Sequence, residues 1–220
     1  MGEEVFSANL TDEQRKTVIE DFKNKTGYQS VYFDKSNKLV VDTAAGFTGG
    51  SSSARAQLLD AVNSTDTRFN LTAVSSDRVA FAEVDQGTQR QDSAGKTVRT
   101  DYTVRVDFGD FKQVRGNKEA IEAFSIGLVL IHEFDHKIYN ILDKPNGDTD
   151  PGPLENKYLN PIRRELGLAE RARYSGKPVT SGFLTSIYKS QDSGTYLSFK
   201  IGGKEKILHW QTNLVGGKIK

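Results

Sequence analysis

The sequence predicts an α+β fold in which a twisted, mainly antiparallel sheet packs beside one central helix. Three observations carry that prediction. From Lys118 to Leu142 the apolar residues Ala120, Ile121, Phe124, Leu128, Ile131 and Ile138 recur at helical spacing, on enough faces for the helix to be largely buried. Thr97 to Phe108 alternates, with Val98, Tyr102, Val104, Val106 and Phe108 on one side, the period of a strand covered on one face. Near the C-terminus, Tyr196 to Ile201 and Lys204 to Trp210 flank Gly202-Gly203 in the pattern of a β-hairpin. A chain of 220 residues suits one domain and buries a core without covalent staples. Residues 1–100 read as its N-terminal helix and strand portion, 101–175 as its core, and 176–220 as its C-terminal hairpin portion.

The remaining elements follow from local signals. Thr11 with Gln14 matches a capping box, and Val18, Ile19 and Phe22 continue at helical spacing until Gly27. Ser30 to Phe33 and Lys38 to Val41 read as a hairpin, with the turn formers Asp34 to Asn37 at its tip. Gly46 to Ser53 is a Gly/Ser-rich loop leading into a helix from Ala54 to Val62; no Lys-Ser or Lys-Thr follows its glycines, so it is not a phosphate cradle. Phe69 to Val74 and Arg78 to Val84 look like strands, and the polar Asp85 to Lys96 a long hairpin loop. Beyond the central helix, Asp143 to Pro153 is dense in turn formers. Leu154 to Leu168 then reads as a helix bent or restarted at Pro161.

Composition excludes several classes of function. Lys and Arg total 30 against 29 Asp and Glu, a net charge of +1, which gives no field to attract nucleic-acid phosphates or anionic lipid. Without cysteine there are no disulfides, thiolate zinc sites, iron–sulfur clusters or thiol nucleophiles. No stretch approaches the roughly 20 apolar residues needed to cross a bilayer. Met1 to Phe6 lacks the basic and apolar regions of a secretory signal, and its acidic start suits a domain of a larger protein.

Histidine is scarce, only 3 in the chain, so its spacing is informative. His132-Glu133-Phe134-Asp135-His136 lies inside the central helix, where residues i and i+4 stand one turn apart on one face. Both imidazoles can reach one metal ion with Glu133 beside them. A carboxylate there can take the proton of a zinc-bound water as it attacks a polarised carbonyl, then pass it to the leaving amine. The alternative, two histidines on an ordinary core helix, would bury polar groups without compensation.

A catalytic zinc site has three protein ligands. Glu155 is the preferred third, in the first turn of the helix after the loop, where folding back brings it to the pair. Asp143, Asp148 and Asp150 are further acidic candidates. Glu165 lies about 15 Å further along the helix axis than Glu155, too far for both to reach one ion without a bend at Pro161. His209, between Leu208 and Trp210, reads as a hairpin residue rather than a ligand. Asp135 faces elsewhere, as a surface charge or as a partner orienting an imidazole. Tyr139 and Tyr158 are candidate donors to a developing oxyanion, Tyr158 being the preferred catalytic one. Of the basic cluster Arg163, Arg164, Arg171 and Arg173, one arginine is expected to pair with Glu165 or with a substrate carboxylate.

The run from Leu128 to His136 resembles the active-site helix of zincin metallopeptidases. Asn160-Pro161-Ile162-Arg163-Arg164-Glu165-Leu166-Gly167 is similar to the Asn-x-x-Arg-x-Glu-Leu-Gly tail of the bacterial type III effector zinc metallopeptidases and of related domains at the C-termini of Rhs-type toxins. The resemblance spans about residues 100 to 175, the catalytic core. It implies a zincin-like fold, Zn2+ held by His132 and His136, and Glu133 as catalytic base. The implied activity is that of a zinc-dependent endopeptidase acting on a protein or peptide substrate. An extended substrate would add to a strand edge beside the metal, with Val104 to Phe108 supplying a strand near the cleft. The resemblance also implies secretion or delivery into another cell. Two other readings remain open: a non-catalytic interaction or adhesion domain with a structural or degenerate metal site, and a metal-dependent amide hydrolase acting on a small substrate or on cell-wall material.

Overall fold

The computed structural model describes residues 5–75, 80–143, 149–178 and 194–211, and shows a mixed α+β architecture. Val5–Ser7 (β1) precedes α1 (Asp12–Thr26). The Thr11 hydroxyl accepts the Gln14 N–H and the Gln14 side chain accepts the Thr11 N–H, a complete capping box. Gly27 ends the helix at φ 77°, a conformation glycine adopts without a Cβ clash. β2 (Val31–Phe33) and β3 (Leu39–Val41) form the expected hairpin, and Ser51 caps α2 (Ser52–Asn63).

The main sheet contains β1, β4 (Thr67–Ala73), β5 (Ala82–Val84), β6 (Thr88–Gln91) and β7 (Thr97–Val106), in the order β1-β4-β7-β5 with β6 also on β7. It is mixed rather than mainly antiparallel. β1 and β4 are parallel because α1 and α2 cross over between them, and β4 is parallel to β7, whereas β5 and β6 run antiparallel to β7. Ala82 to Gln91 is in effect one interrupted edge strand, folded onto β7 through the turn at Asp92 to Gly95. The segment read as a long hairpin loop therefore carries β6. All four of its residues are exposed, so no buried face imposes an alternation on the sequence. β7 stops before Phe108, which instead opens α3 (Phe108–Gln113), because the Asp107 carboxylate accepts the N–H groups of Gly109 and Asp110.

The expected helix from Lys118 to Leu142 is two helices, α4 (Lys118–Glu122) and α5 (Ile126–Ile138). At the break, the Arg163 guanidinium donates to the Ala123 carbonyl at 3.0 Å, and Asp21 of α1 accepts the Gly127 N–H at 2.5 Å. That carboxylate satisfies a donor at the start of α5 and complements its dipole. Leu128, Leu130, Ile131 and Phe134 of α5 are buried, with the Phe134 ring tilted against Phe69 of β4 at 4.7 Å between centroids. α5 ends at Ile138 because Asn140 turns the chain at φ 50°. Further on, a π-helical turn (Glu155–Leu159) runs into α6 (Asn160–Glu165), where Pro161 needs no hydrogen-bond partner for its nitrogen.

A second sheet contains β8 (Arg115–Gly116), β9 (Glu170–Arg171), β10 (Lys177–Pro178), β11 (Gly194–Ile201) and β12 (Lys204–Gln211), in the order β10-β11-β12-β8 with β9 on β11. Gly202 and Gly203, at φ 55° and 74°, make the tight turn between β11 and β12. Under this sheet lies a second core in which Phe81 meets Phe124 at 4.9 Å and Trp210 at 5.1 Å. Phe81 has φ 64°, a conformation costly for a bulky residue, which burial of its ring and an N–H bond to Asp110 at 3.0 Å offset. Among the described residues no helix is long and apolar enough to cross a membrane.

Candidate metal centre

His132 and His136 project from one face of α5 with their Nε2 atoms 3.2 Å apart. The protons can be placed by what surrounds the rings. Nδ1 of His136 lies 2.7 Å from the Ile141 carbonyl, which only accepts, so Nδ1 carries the hydrogen and Nε2 of the neutral ring offers its lone pair. Nδ1 of His132 lies 3.3 Å from Oε1 of Glu155 at ion-pair distance without a hydrogen bond, and the negative charge beside it favours the proton on that nitrogen and the lone pair on Nε2. Asp143 Oδ2 stands 3.0 Å from His136 Nε2 and 3.5 Å from His132 Nε2. Three electron-pair donors thus converge on one point, which is repulsive unless a proton or cation lies among them. Two imidazoles and one carboxylate make a donor set of the kind zinc takes, and the second Asp143 oxygen is buried without a hydrogen-bond partner. The residues fit a Zn2+ ion.

Without a metal, the positive charge that this cluster of carboxylates favours is a second proton on His132. Burial works against charge on His132, but the carboxylates of Asp143, Glu155 and Glu133 more than offset it and raise its pKa to about 10. Burial would raise Asp143, yet in the metal-free site, where the imidazoles facing it can take up a second proton at Nε2, His132 and His136 hold it far below the ordinary carboxylate range. Glu133 is pushed up by burial, with His132 and His136 opposing. His132, Glu133 and His136 each present a ligand atom within 4.8 Å of the others. The Val84 N–H, on the outer edge of β5, donates to Glu133 Oε2 at 2.9 Å and aims that carboxylate. β5 therefore lies between the cleft and β7, so Val104 to Val106 do not form the open edge there.

No family model, no curated protein and no solved structure matches this chain.

Glu155 does not join the two Nε2 atoms. It stands behind His132, where Arg163 holds one of its oxygens and Arg171 the other, the latter at 2.8 Å. Burial would raise its pKa, but these two arginines keep it well below the usual range. It places a fixed negative charge 3.3 Å from Nδ1 of His132, without a hydrogen bond between them. The expected pairing of an arginine with Glu165 is corrected likewise: Arg163 serves Glu155, and Arg164 pairs with Glu170. Glu165 instead accepts from the hydroxyls of Ser51, Ser52 and Ser53 at 2.8, 2.9 and 2.5 Å, capping α2 and fastening α6 to it. The serine-rich loop is thus an anion site filled by the chain's own carboxylate.

Tyr158 is also turned elsewhere. Its ring stacks on Tyr139 at 4.2 Å, and Tyr139 donates to Asp60 at 2.7 Å, on the α2 side of α5. Asp150 shapes the turn before the π-helical segment by accepting from Gly152 and Asn156, and Asp148 lies outside the described residues. His209 is buried on β12 between Tyr196 and Arg115. Burial and then the Arg115 charge lower its pKa. Asp135 is fully buried with neither oxygen hydrogen-bonded, and burial raises its pKa well above the ordinary value.

The residue that the sequence reading missed is Tyr174, whose hydroxyl donates to Asp143 Oδ2 at 2.7 Å. A cleft runs from His132, Glu133 and Tyr174 to the apolar side chains Phe81, Leu128 and Leu197. Nothing in the spacing around Tyr174 marks it, because its place depends on how β9 docks against β11.

Proposed function

We propose that the chain is a zinc-dependent endopeptidase with a zincin-like arrangement of helix and edge strand. The observation that carries this reading is the convergence of His132 Nε2, His136 Nε2 and Asp143 Oδ2, with Glu133 beside them on the same helix. These three residues would hold Zn2+, which when bound polarises a carbonyl and lowers the pKa of water.

The chain's own groups do the rest. Glu133, its carboxyl pushed upward by burial, accepts a proton from the attacking water and returns it to the leaving amine. The Val84 N–H keeps that carboxylate pointed into the cleft. Phe81, Leu128 and Leu197 offer an apolar wall that excludes water and suits an apolar side chain of a peptide. Along the same cleft, Glu155 between Arg163 and Arg171 sets a fixed negative charge beside the ring of His132.

The test joins metal analysis to a peptide library. Protein purified gently and supplemented with zinc should hold one ion per chain and cut peptides, and Glu133→Gln should keep the ion and lose the cutting. Absence of bound zinc overturns the reading. Zinc that raises the melting temperature while no peptide is cut would replace it with the interaction-domain alternative.

A further inference from the structure

This inference rests on the proposed metal centre. Of its three donors only Asp143 does not stand on α5: the chain leaves the helix at Asn140 and comes back through Ile141 and Leu142 to the imidazoles. No helical hydrogen bonding fixes its carboxylate. Tyr174 supplies what the helix does not, since its hydroxyl donates at 2.7 Å to Oδ2, the oxygen that faces both Nε2 atoms.

Tyr174 is itself held from behind. Arg171 Nη2 donates to its carbonyl at 2.6 Å, and its own N–H donates to the Asp150 carbonyl at 3.2 Å. The Arg171 backbone is gripped at both ends by Asn160, whose Oδ1 accepts the N–H at 2.8 Å and whose Nδ2 donates to the carbonyl at 3.1 Å. Arg171 Nη1 reaches Glu155, the carboxylate behind His132. One arginine therefore supports two donors of the centre, His132 through Glu155 and Asp143 through Tyr174.

We propose that Tyr174 is a positioning residue that presents the Asp143 carboxylate to the metal and so sets the metal affinity of the site. A phenol donating to Oδ2 orients that carboxylate before the ion arrives, leaving the other lone pair on Oδ2 for coordination. Without it, binding must also order the carboxylate, and loss of a supporting partner of this kind costs about 10–100-fold in affinity.

The experiment measures Zn2+ affinity by chelator competition, and the visible spectrum of the Co2+-loaded protein, for wild type, Tyr174→Phe, Asp143→Asn and the double variant. Tyr174→Phe should bind Zn2+ about 10–100-fold more weakly and shift the Co2+ bands. On the Asp143→Asn background the same change should add under about 3-fold, because its effect runs through Asp143. Wild-type affinity and spectrum in Tyr174→Phe would overturn the proposal, as would losses that multiply in the double variant. A merely structural tyrosine would lower the melting temperature of the metal-free protein and leave affinity and spectrum alone. Should Tyr174→Phe not fold, zinc must still produce a tyrosine ultraviolet difference band in wild type that is missing in Asp143→Asn; lack of that band in wild type also overturns it. A wild type that binds no zinc sinks the metal centre itself, and a wild type that binds zinc beside an unaltered Tyr174→Phe sinks only this inference.

Discussion

His132, Glu133 and His136 stand within two turns of one buried helix, whereas Asp143, Glu155, Arg163, Arg171 and Tyr174 reach the same site from the turn after that helix, the π-helical turn, α6 and the region of β9. The first group is placed by helical geometry alone, which needs only spacing. The second is placed by hydrogen bonds between segments far apart in the chain: Arg163 to Ala123, Asn160 to Arg171, Tyr174 to Asp143. On the proposed reading the chemistry is carried by the first group and the precision by the second, and the two should respond differently to substitution.

The sharpest contrast is in Glu133→Gln against Glu155→Gln. Glu133→Gln should lower peptide cleavage by about 10²–10⁴-fold with metal content and melting temperature kept, since it removes only the group that moves the proton. Steady-state kinetics beside metal analysis would check it. If Glu133→Gln instead unfolds the protein, the helix face is structural and the comparison breaks.

Glu155→Gln should act through stability. Arg163 and Arg171 would be left buried around a neutral amide whose NH2 faces a donor, and breaking a buried pair of this kind costs about 3–5 kcal/mol. Urea denaturation of the metal-free protein measures it, and a cost under about 1 kcal/mol would show that the arginines find other partners. Metal affinity should fall as well, because His132 loses the negative charge beside its Nδ1.

The same division explains what could be read from the sequence. The α+β class, the capping box of α1, the β2–β3 hairpin and the common face of His132 and His136 all depend on residues a few positions apart. The break at Ala123 depends on a guanidinium from Arg163, and β6 on a partner strand that covers neither of its faces. Asp143 was legible only as one acid among several, because a left-handed Asn140 is what turns it toward the rings. Glu155 was expected to fold back onto the histidines. It does fold back, and meets the far nitrogen of His132.

Glu165 offers a milder test, away from the metal. Slight burial works against it, but the hydrogen bonds from Ser53, Ser51 and Ser52 lower its pKa to about 2. A carboxylate lowered in the folded state contributes stability that is complete above the ordinary value near 4.5 and is lost as pH falls toward 2. Stability of wild type minus Glu165→Gln should therefore be greatest near neutral pH and vanish at the acid end. Glu165 is exposed, so solvent screening keeps the difference to about 1 kcal/mol or less. A difference independent of pH would mean that the serines hold either side chain equally well.

The smallest effect is expected at Tyr158. Its ring lies 4.2 Å from that of Tyr139 with an interplanar angle of 11°, and phenylalanine preserves that stack. The residues lining the cleft include Tyr174 and not Tyr158. Tyr158→Phe should then leave kcat, KM and zinc affinity within about 2-fold of wild type, side by side with a Tyr174→Phe that loses affinity. The pair is informative because the chemical change is identical, one phenolic oxygen removed, and only the location differs. A fall in kcat of about 100-fold in Tyr158→Phe, the size seen when an oxyanion donor is lost, would require the ring to leave Tyr139 and swing to the metal during turnover. The support on the β9 side of the cleft would then be only half of what completes the site.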